Sequence, residues 1–141
     1  MTERALHHVA SRQNALLIEG YASLFGVPDH AGDVIRPGAF SRATSHHDVP
    51  MLLQHRTAAV IGHWVRVIED ARGLFVRGLV ETERGKAAVR RGLNGLSIGF
   101  RPRVWTTRPD GGRRLVKIEL VEISLVKEPM LETARFQVVA G

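Results

Sequence analysis

The sequence predicts a mostly β, α+β domain: a single closed or nearly closed β-barrel with peripheral helices. Three observations carry that expectation. Apolar residues recur with period 2 in several segments bounded by Gly, Pro and Asp. A single segment carries both the start and the stop signals of a helix. No repeat, low-complexity tract or interdomain linker breaks the 141 residues, and a chain of that length buries roughly two-thirds of its unfolded surface.

Residues 1–14 are polar and are expected to be mobile, leaving 15–138 as one folded unit. Residues 15–22 suit an opening strand. Residues 26–40 read as a loop, with Pro28-Asp29 and Pro37-Gly38 as turn signals. A polar connection over 41–48 leads into the short apolar run 49–53, which ends at Gln54-His55-Arg56. In residues 60–68 alternation holds but neither face is cleanly polar, so both sides are expected to meet protein. A turn at 70–73 returns the chain as a second strand over 74–80.

The helix is expected over 83–91, capped by Thr82, stopped by Gly92 and packed through Ala87, Ala88 and Val89. Residues 93–105 form the next strand. Asp110-Gly111-Gly112 marks the tip of a hairpin, and 114–126 is the longest strand.

Composition removes several chemistries. With no cysteine there is no disulfide, thiolate metal site, iron–sulfur cluster or cysteine nucleophile. No apolar run approaches the ~20 residues of a membrane-crossing helix, and residues 1–14 lack the apolar stretch of a secretion signal, so an intracellular protein without a membrane partner is expected. Twenty Lys and Arg against fourteen Asp and Glu give a net charge of +6, which favours acidic partners. The basic residues are dispersed, with small pairs at Arg90-Arg91 and Arg113-Arg114, unlike the block of a nucleic-acid-binding arm.

Regular alternation in the last strand puts Glu122 on one face with Val116, Ile118, Leu120, Ser124 and Val126. A carboxylate there needs a hydrogen bond or a counter-charge, and both a structural ion pair and a site role satisfy the demand. His55 closes an apolar strand, where sites are commonly built, whereas His63 reads as a satisfied core histidine. His30 falls in a loop, His7 and His8 in the polar start, and His46 and His47 in the polar connection.

The serines are Ser11, Ser23, Ser41, Ser45, Ser97 and Ser124. Ser97, among Gly92, Gly95 and Gly99, stands where another backbone can approach its hydroxyl closely, as acyl transfer requires. Gly95-Leu-Ser-Ile-Gly99 matches the letters of a nucleophile elbow but leads into a strand, so an ordinary strand serine stays open beside a nucleophile. His46, His47, His55, His63, Asp48 and Asp33 offer metal-ligand chemistry without a recognisable ligand spacing, and no phosphate-binding loop occurs. No cofactor is expected.

Five segments in order resemble a known family: Leu52-Leu-Gln-His55-Arg56, Val60-Ile-Gly-His-Trp64, residues 70–78, Gly95-Leu-Ser-Ile-Gly-Phe100 and Leu120-Val-Glu-Ile-Ser-Leu-Val126. With Gly20-Tyr-Ala-Ser-Leu-Phe25 and residues 33–40, they resemble the tailed-phage prohead (procapsid) maturation proteases over residues 17–135. That family is distantly similar to the herpesvirus assemblins, and the resemblance implies an assemblin-like barrel.

It also implies a serine endopeptidase with a Ser-His-Glu triad. Ser97 falls on the nucleophile, His55 on the general base, and Glu122 where assemblins place a second histidine. Glu119 is the alternative third member, on the opposite face of a regular strand. Residues 127–130 lack the arginine of the assemblin oxyanion loop, so the oxyanion donors stay unassigned.

The implied substrates are the major capsid protein or its scaffolding segment, and the enzyme itself, inside an assembling procapsid in the host cytoplasm. A homodimer or higher oligomer fits such a setting, and scaffolding is expected to reside in another polypeptide. Two other classes stand beside it: a non-enzymatic basic β-domain binding nucleic acid, and a structural capsid-assembly protein with a degenerate triad.

Overall fold

A computed structural model describes residues 14–41 and 48–141. The expectations for residues 1–13, for the connection over 42–47, and for His7, His8, His46, His47, Ser11 and Ser45 lie outside the described residues. The chain runs β1 (Leu16–Leu24), β2 (Val34–Ile35), β3 (Pro50–Leu53), β4 (Arg56–Glu69), β5 (Gly73–Val80), α1 (Glu83–Arg90), β6 (Gly95–Thr107), β7 (Arg113–Val126) and β8 (Phe136–Ala140).

The strands form one sheet in the order β2-β7-β3-β4-β5-β1-β8, with β6 also paired to β7. Hairpins make β3–β4, β4–β5 and β6–β7 antiparallel, whereas β3 and β2 run parallel to β7. The curled sheet encloses one apolar core that includes Ile18, Met51, Trp64, Leu96, Ile123 and Leu125. The mostly β expectation holds, but the sheet does not close into a barrel. Where β6 approaches β8, the gap is spanned by an isolated bridge between Gly95 and Arg135 and by two backbone bonds, Leu96 N–H to Ala134 O and Phe136 N–H to Asn94 O, each 2.9 Å.

β7 departs from simple alternation in a way that matters for the site. Its ladder with β6 shifts register between Gly99 and Phe100, where Glu122 pairs with Gly99, Leu120 pairs with Phe100, and Val121 is left without a partner. Such a bulge reverses which face the following residues occupy. Ile118 and Leu120 therefore join Ile123 and Leu125 in the core, and Glu122 shares the outer face with Ser124. The sequence reading that aligned Glu122 with Ile118 and Leu120 on one face is corrected by this extra residue.

Other expectations are refined. Among the described residues α1 is the only helix. Thr82 caps it, its hydroxyl accepting from Gly85 N–H at 3.0 Å. The helix packs through Gly85 and Lys86 rather than centring on Ala87 and Ala88; Val89 contributes partly. A methyl at Gly85 would stand 2.8 Å from Ile61 Cβ and 2.9 Å from Val80 Cγ1, so glycine lets the helix sit directly on β4 and β5.

β4 does not meet protein on both sides, since Val60 is 54% exposed. His63 is no core histidine: its half-exposed ring bonds Glu81 at 2.7 Å through Nδ1. β2, two residues long, arises within the expected loop because its backbone pairs with Arg114 and Leu115.

Candidate active site

The β3–β4 hairpin turns on two residues, Gln54 and His55, with φ of 55° and 61°. A two-residue turn with both φ positive matches the twist of its flanking strands, but it normally recruits Asn and Gly. Here other contacts hold it. Gln54 N–H donates to Leu125 O at 2.9 Å, and Gln54 Oε1 accepts from Lys127 N–H at 3.1 Å, which fastens the turn to the end of β7. Left-handed backbone at a side chain other than glycine marks a position held by its surroundings, and such positions concentrate at functional sites.

The fastened turn brings His55 to Glu122, with Nδ1 to Oε2 at 2.5 Å. The other oxygen, Oε1, accepts from the Ser124 hydroxyl at 2.6 Å. Glu122 is thus held at both oxygens, its side chain 13% exposed, while the ring of His55 is 43% exposed. A carboxylate at Nδ1 favours the tautomer that carries its proton there and leaves Nε2 free to accept one.

Ser97 pairs directly with Ser124 across the β6–β7 ladder, and Gly99 pairs with Glu122. Ser97, Gly99, Glu122 and Ser124 therefore share one face of the hairpin. A methyl at Gly99 would lie 2.3 Å from Glu122 Oε2, so the carboxylate occupies the space a side chain would fill. Ser97 is mostly buried and lines a cavity of about 40 Å³ with Ile98, Phe100, Met130 and Leu131. Among the described residues no hydrogen bond joins Ser97 to His55.

The structure thus brings His55 and Glu122 into contact and sets Ser97 on the strand beside Glu122. The bulge puts Glu119 on the same face as Glu122, not on the opposite face expected of a regular strand, but Glu119 stands apart from His55, ion-paired with Arg101 at 3.3 Å and with Arg103. His30 meets Glu132 at 3.3 Å, away from this group. Among the described residues no cluster of three or more acidic or histidine side chains could hold a metal. Sequence reasoning missed the parts played by Gln54, Gly99 and Ser124. The Glu-x-Ser spacing in a strand was the available signal, because period 2 puts both side chains on one face.

Residues 3–141 match the sequence profile described as Caudovirus prohead serine protease. The chain belongs to that family. It is 41% identical over 93 residues to the prohead protease of Enterobacteria phage HK97, an alignment covering 60% of this chain and 41% of that protein. The chain thus spans about two-fifths of the length of that prohead protease.

Among solved structures, the KSHV protease in complex with a hexapeptide phosphonate inhibitor matches with a TM-score of 0.63 at 14% identity, covering 86% of this chain and 63% of that one. Another KSHV protease structure matches at 0.53 and 12% identity, covering 86% and 59%. At these identities the likeness is one of fold, and it places this prohead-protease-family chain in a herpesvirus-protease-like architecture.

Proposed function

We propose that this chain is a serine endopeptidase, with residues 15–138 as its protease domain, that cleaves capsid or scaffold polypeptides, and itself, inside an assembling prohead in the host. The observation that carries the reading is the 2.5 Å contact between His55 Nδ1 and Glu122 Oε2, beside the strand that bears Ser97. Membership of the prohead serine protease family supports the reaction class.

In the proposed reaction Ser97 Oγ bonds to the scissile carbonyl carbon as its proton passes to His55 Nε2. The tetrahedral adduct collapses, the C–N bond breaks, and the leaving amine takes that proton. Water then repeats the sequence on the acyl-enzyme and frees Ser97. Glu122 keeps its charge throughout, orients the ring and stabilises the transient imidazolium.

Ser124 is the less suited nucleophile. It is fully buried, and its hydroxyl is committed to Glu122.

Co-expression with the capsid protein, followed by mass spectrometry, tests the reading. The wild type should shorten the capsid protein at a defined bond, and Ser97→Ala should leave it whole. Equal cleavage by both proteins would remove Ser97 from the mechanism.

A further inference from the structure

The face of the β6–β7 hairpin that carries Ser97 continues outward from the site. Successive pairs on that face are Ser97 with Ser124, Gly99 with Glu122, Arg101 with Glu119, Val104 with Lys117, and Thr106 with Arg114; the register shifts after Gly99 and after Pro102 preserve the sequence of facing pairs. At a rise of about 3.3 Å per residue, Arg101 lies about 13 Å and Val104 about 23 Å along the strand from Ser97.

This outward stretch is basic. Arg101 and Arg103 both pair with Glu119. Lys117 Nζ is held by Gly38 O at 3.1 Å and Ser41 Oγ at 2.8 Å, neither of them a carboxylate. Among the described residues no carboxylate pairs with Lys117 or Arg114. Between these cations Val104 is 51% exposed. Among the described residues Glu119 is therefore the one carboxylate set among Arg101, Arg103, Arg114 and Lys117 on this face, and a ligand supplying carboxylates would complete the charge balance.

The strand edge narrows the partner's class. β6 pairs with β7 alone in the ladder, so beyond Leu96 its other edge is open among the described residues. An open edge can take the main chain of an extended polypeptide. Arginines along it repel a second copy of the same basic strand while attracting an acidic one.

We infer that the outer face of the β6–β7 hairpin, from Arg101 to Arg114, is a docking track for an extended acidic segment of the polypeptide substrate. On the proposed reading, with Ser97 as nucleophile, the acidic residues lie roughly four to nine positions from the scissile bond, all on one side of it. The apolar member of an acidic-apolar alternation would meet Val104.

The test reads binding without turnover, so its failure is distinguishable from failure of the peptidase reading. The Ser97→Ala chain is titrated with a fluorescein-labelled peptide alternating Glu with Val, with its Gln-Val counterpart, and with a labelled oligothymidine, at low and high salt. The acidic peptide should bind at least about tenfold more tightly than the Gln-Val peptide, and salt should erode the difference.

The added pair Arg114→Gln and Lys117→Gln should also remove most of that preference. These substitutions leave the Glu119 ion pairs in place, and circular dichroism checks that the fold persists. Equal affinity for the two peptides, or an unchanged preference in the substituted chain, overturns the track. Tighter binding of oligothymidine than of the acidic peptide also overturns it, and would assign the surface to nucleic acid.

Discussion

Gly99 lies directly opposite Glu122 in the β6–β7 ladder, and a methyl there would stand 2.3 Å from Glu122 Oε2. The clash runs from Oε2 back to Cγ, 2.9 Å away, all within the Glu122 side chain, so in Gly99→Ala that side chain should move and the strand should stay. On the proposed reading, displacement from His55 should lower kcat about a hundredfold, because small misplacements of a group that orients the base are costly. The thermal midpoint should fall by several degrees as the bonds of Glu122 to His55 and Ser124 are lost, with the chain still folded. Peptidase assays beside a melting curve check this: unchanged turnover would separate Glu122 from the chemistry.

The two acidic residues of β7 that competed for the third position now differ in surroundings, since Glu122 touches His55 and Glu119 pairs with arginines. Glu122→Gln keeps the shape but removes the charge that favours the useful tautomer, and turnover should fall by about three to four orders of magnitude. Glu119→Gln should change turnover less than about threefold, as expected for an exposed ion pair. Parallel assays of both variants decide, and a larger loss at Glu119 would reverse the assignment.

The Ser124 hydroxyl donates a hydrogen bond to Glu122 Oε1 at 2.6 Å from a fully buried position. A hydrogen bond to a charged group is worth about 1.5–3 kcal/mol, so Ser124→Ala should loosen Glu122 and lower kcat about tenfold while KM is little changed. This loss should be orders of magnitude smaller than that of Ser97→Ala. If the two variants prove equally inactive in the same assay, Ser124 is more than a positioning residue.

Part of the candidate site stands out in local pattern, and the remainder depends on long-range geometry. His55 at the end of an apolar run and Ser97 among glycines could be read because strand ends and glycine spacing are local features. The bulge at Val121 could not be read: Val-Glu-Ile alternates acceptably in either register, and only packing of Leu120 and Ile123 into one core shows that a residue has been skipped. The turn at Gln54-His55 was hidden for a related reason. Neither residue favours positive φ, and the hydrogen bonds that hold the turn come from Leu125 and Lys127, far away in sequence. The short β2 likewise exists through its pairing with β7 rather than through its own propensity.

Burial pushes the Asp29 carboxyl above the ordinary aspartate range, against the pull of the backbone N–H groups of Asp33 and Ala31 that it accepts at 3.0 and 2.9 Å. A raised folded pKa means that the folded state holds this proton more tightly than the unfolded chain does. Ionised Asp29 therefore opposes folding at neutral pH, and the penalty fades as pH falls through the folded value towards the unfolded one, about 3.9. Asn retains an oxygen for both backbone donors and carries no charge, so Asp29→Asn should raise the thermal midpoint at pH 7. The gain should vanish below the unfolded pKa, where both side chains are neutral. Melting curves across that range check the sign. A lower midpoint for Asp29→Asn at pH 7 would mean that the two N–H groups favour the carboxylate more strongly than burial disfavours it.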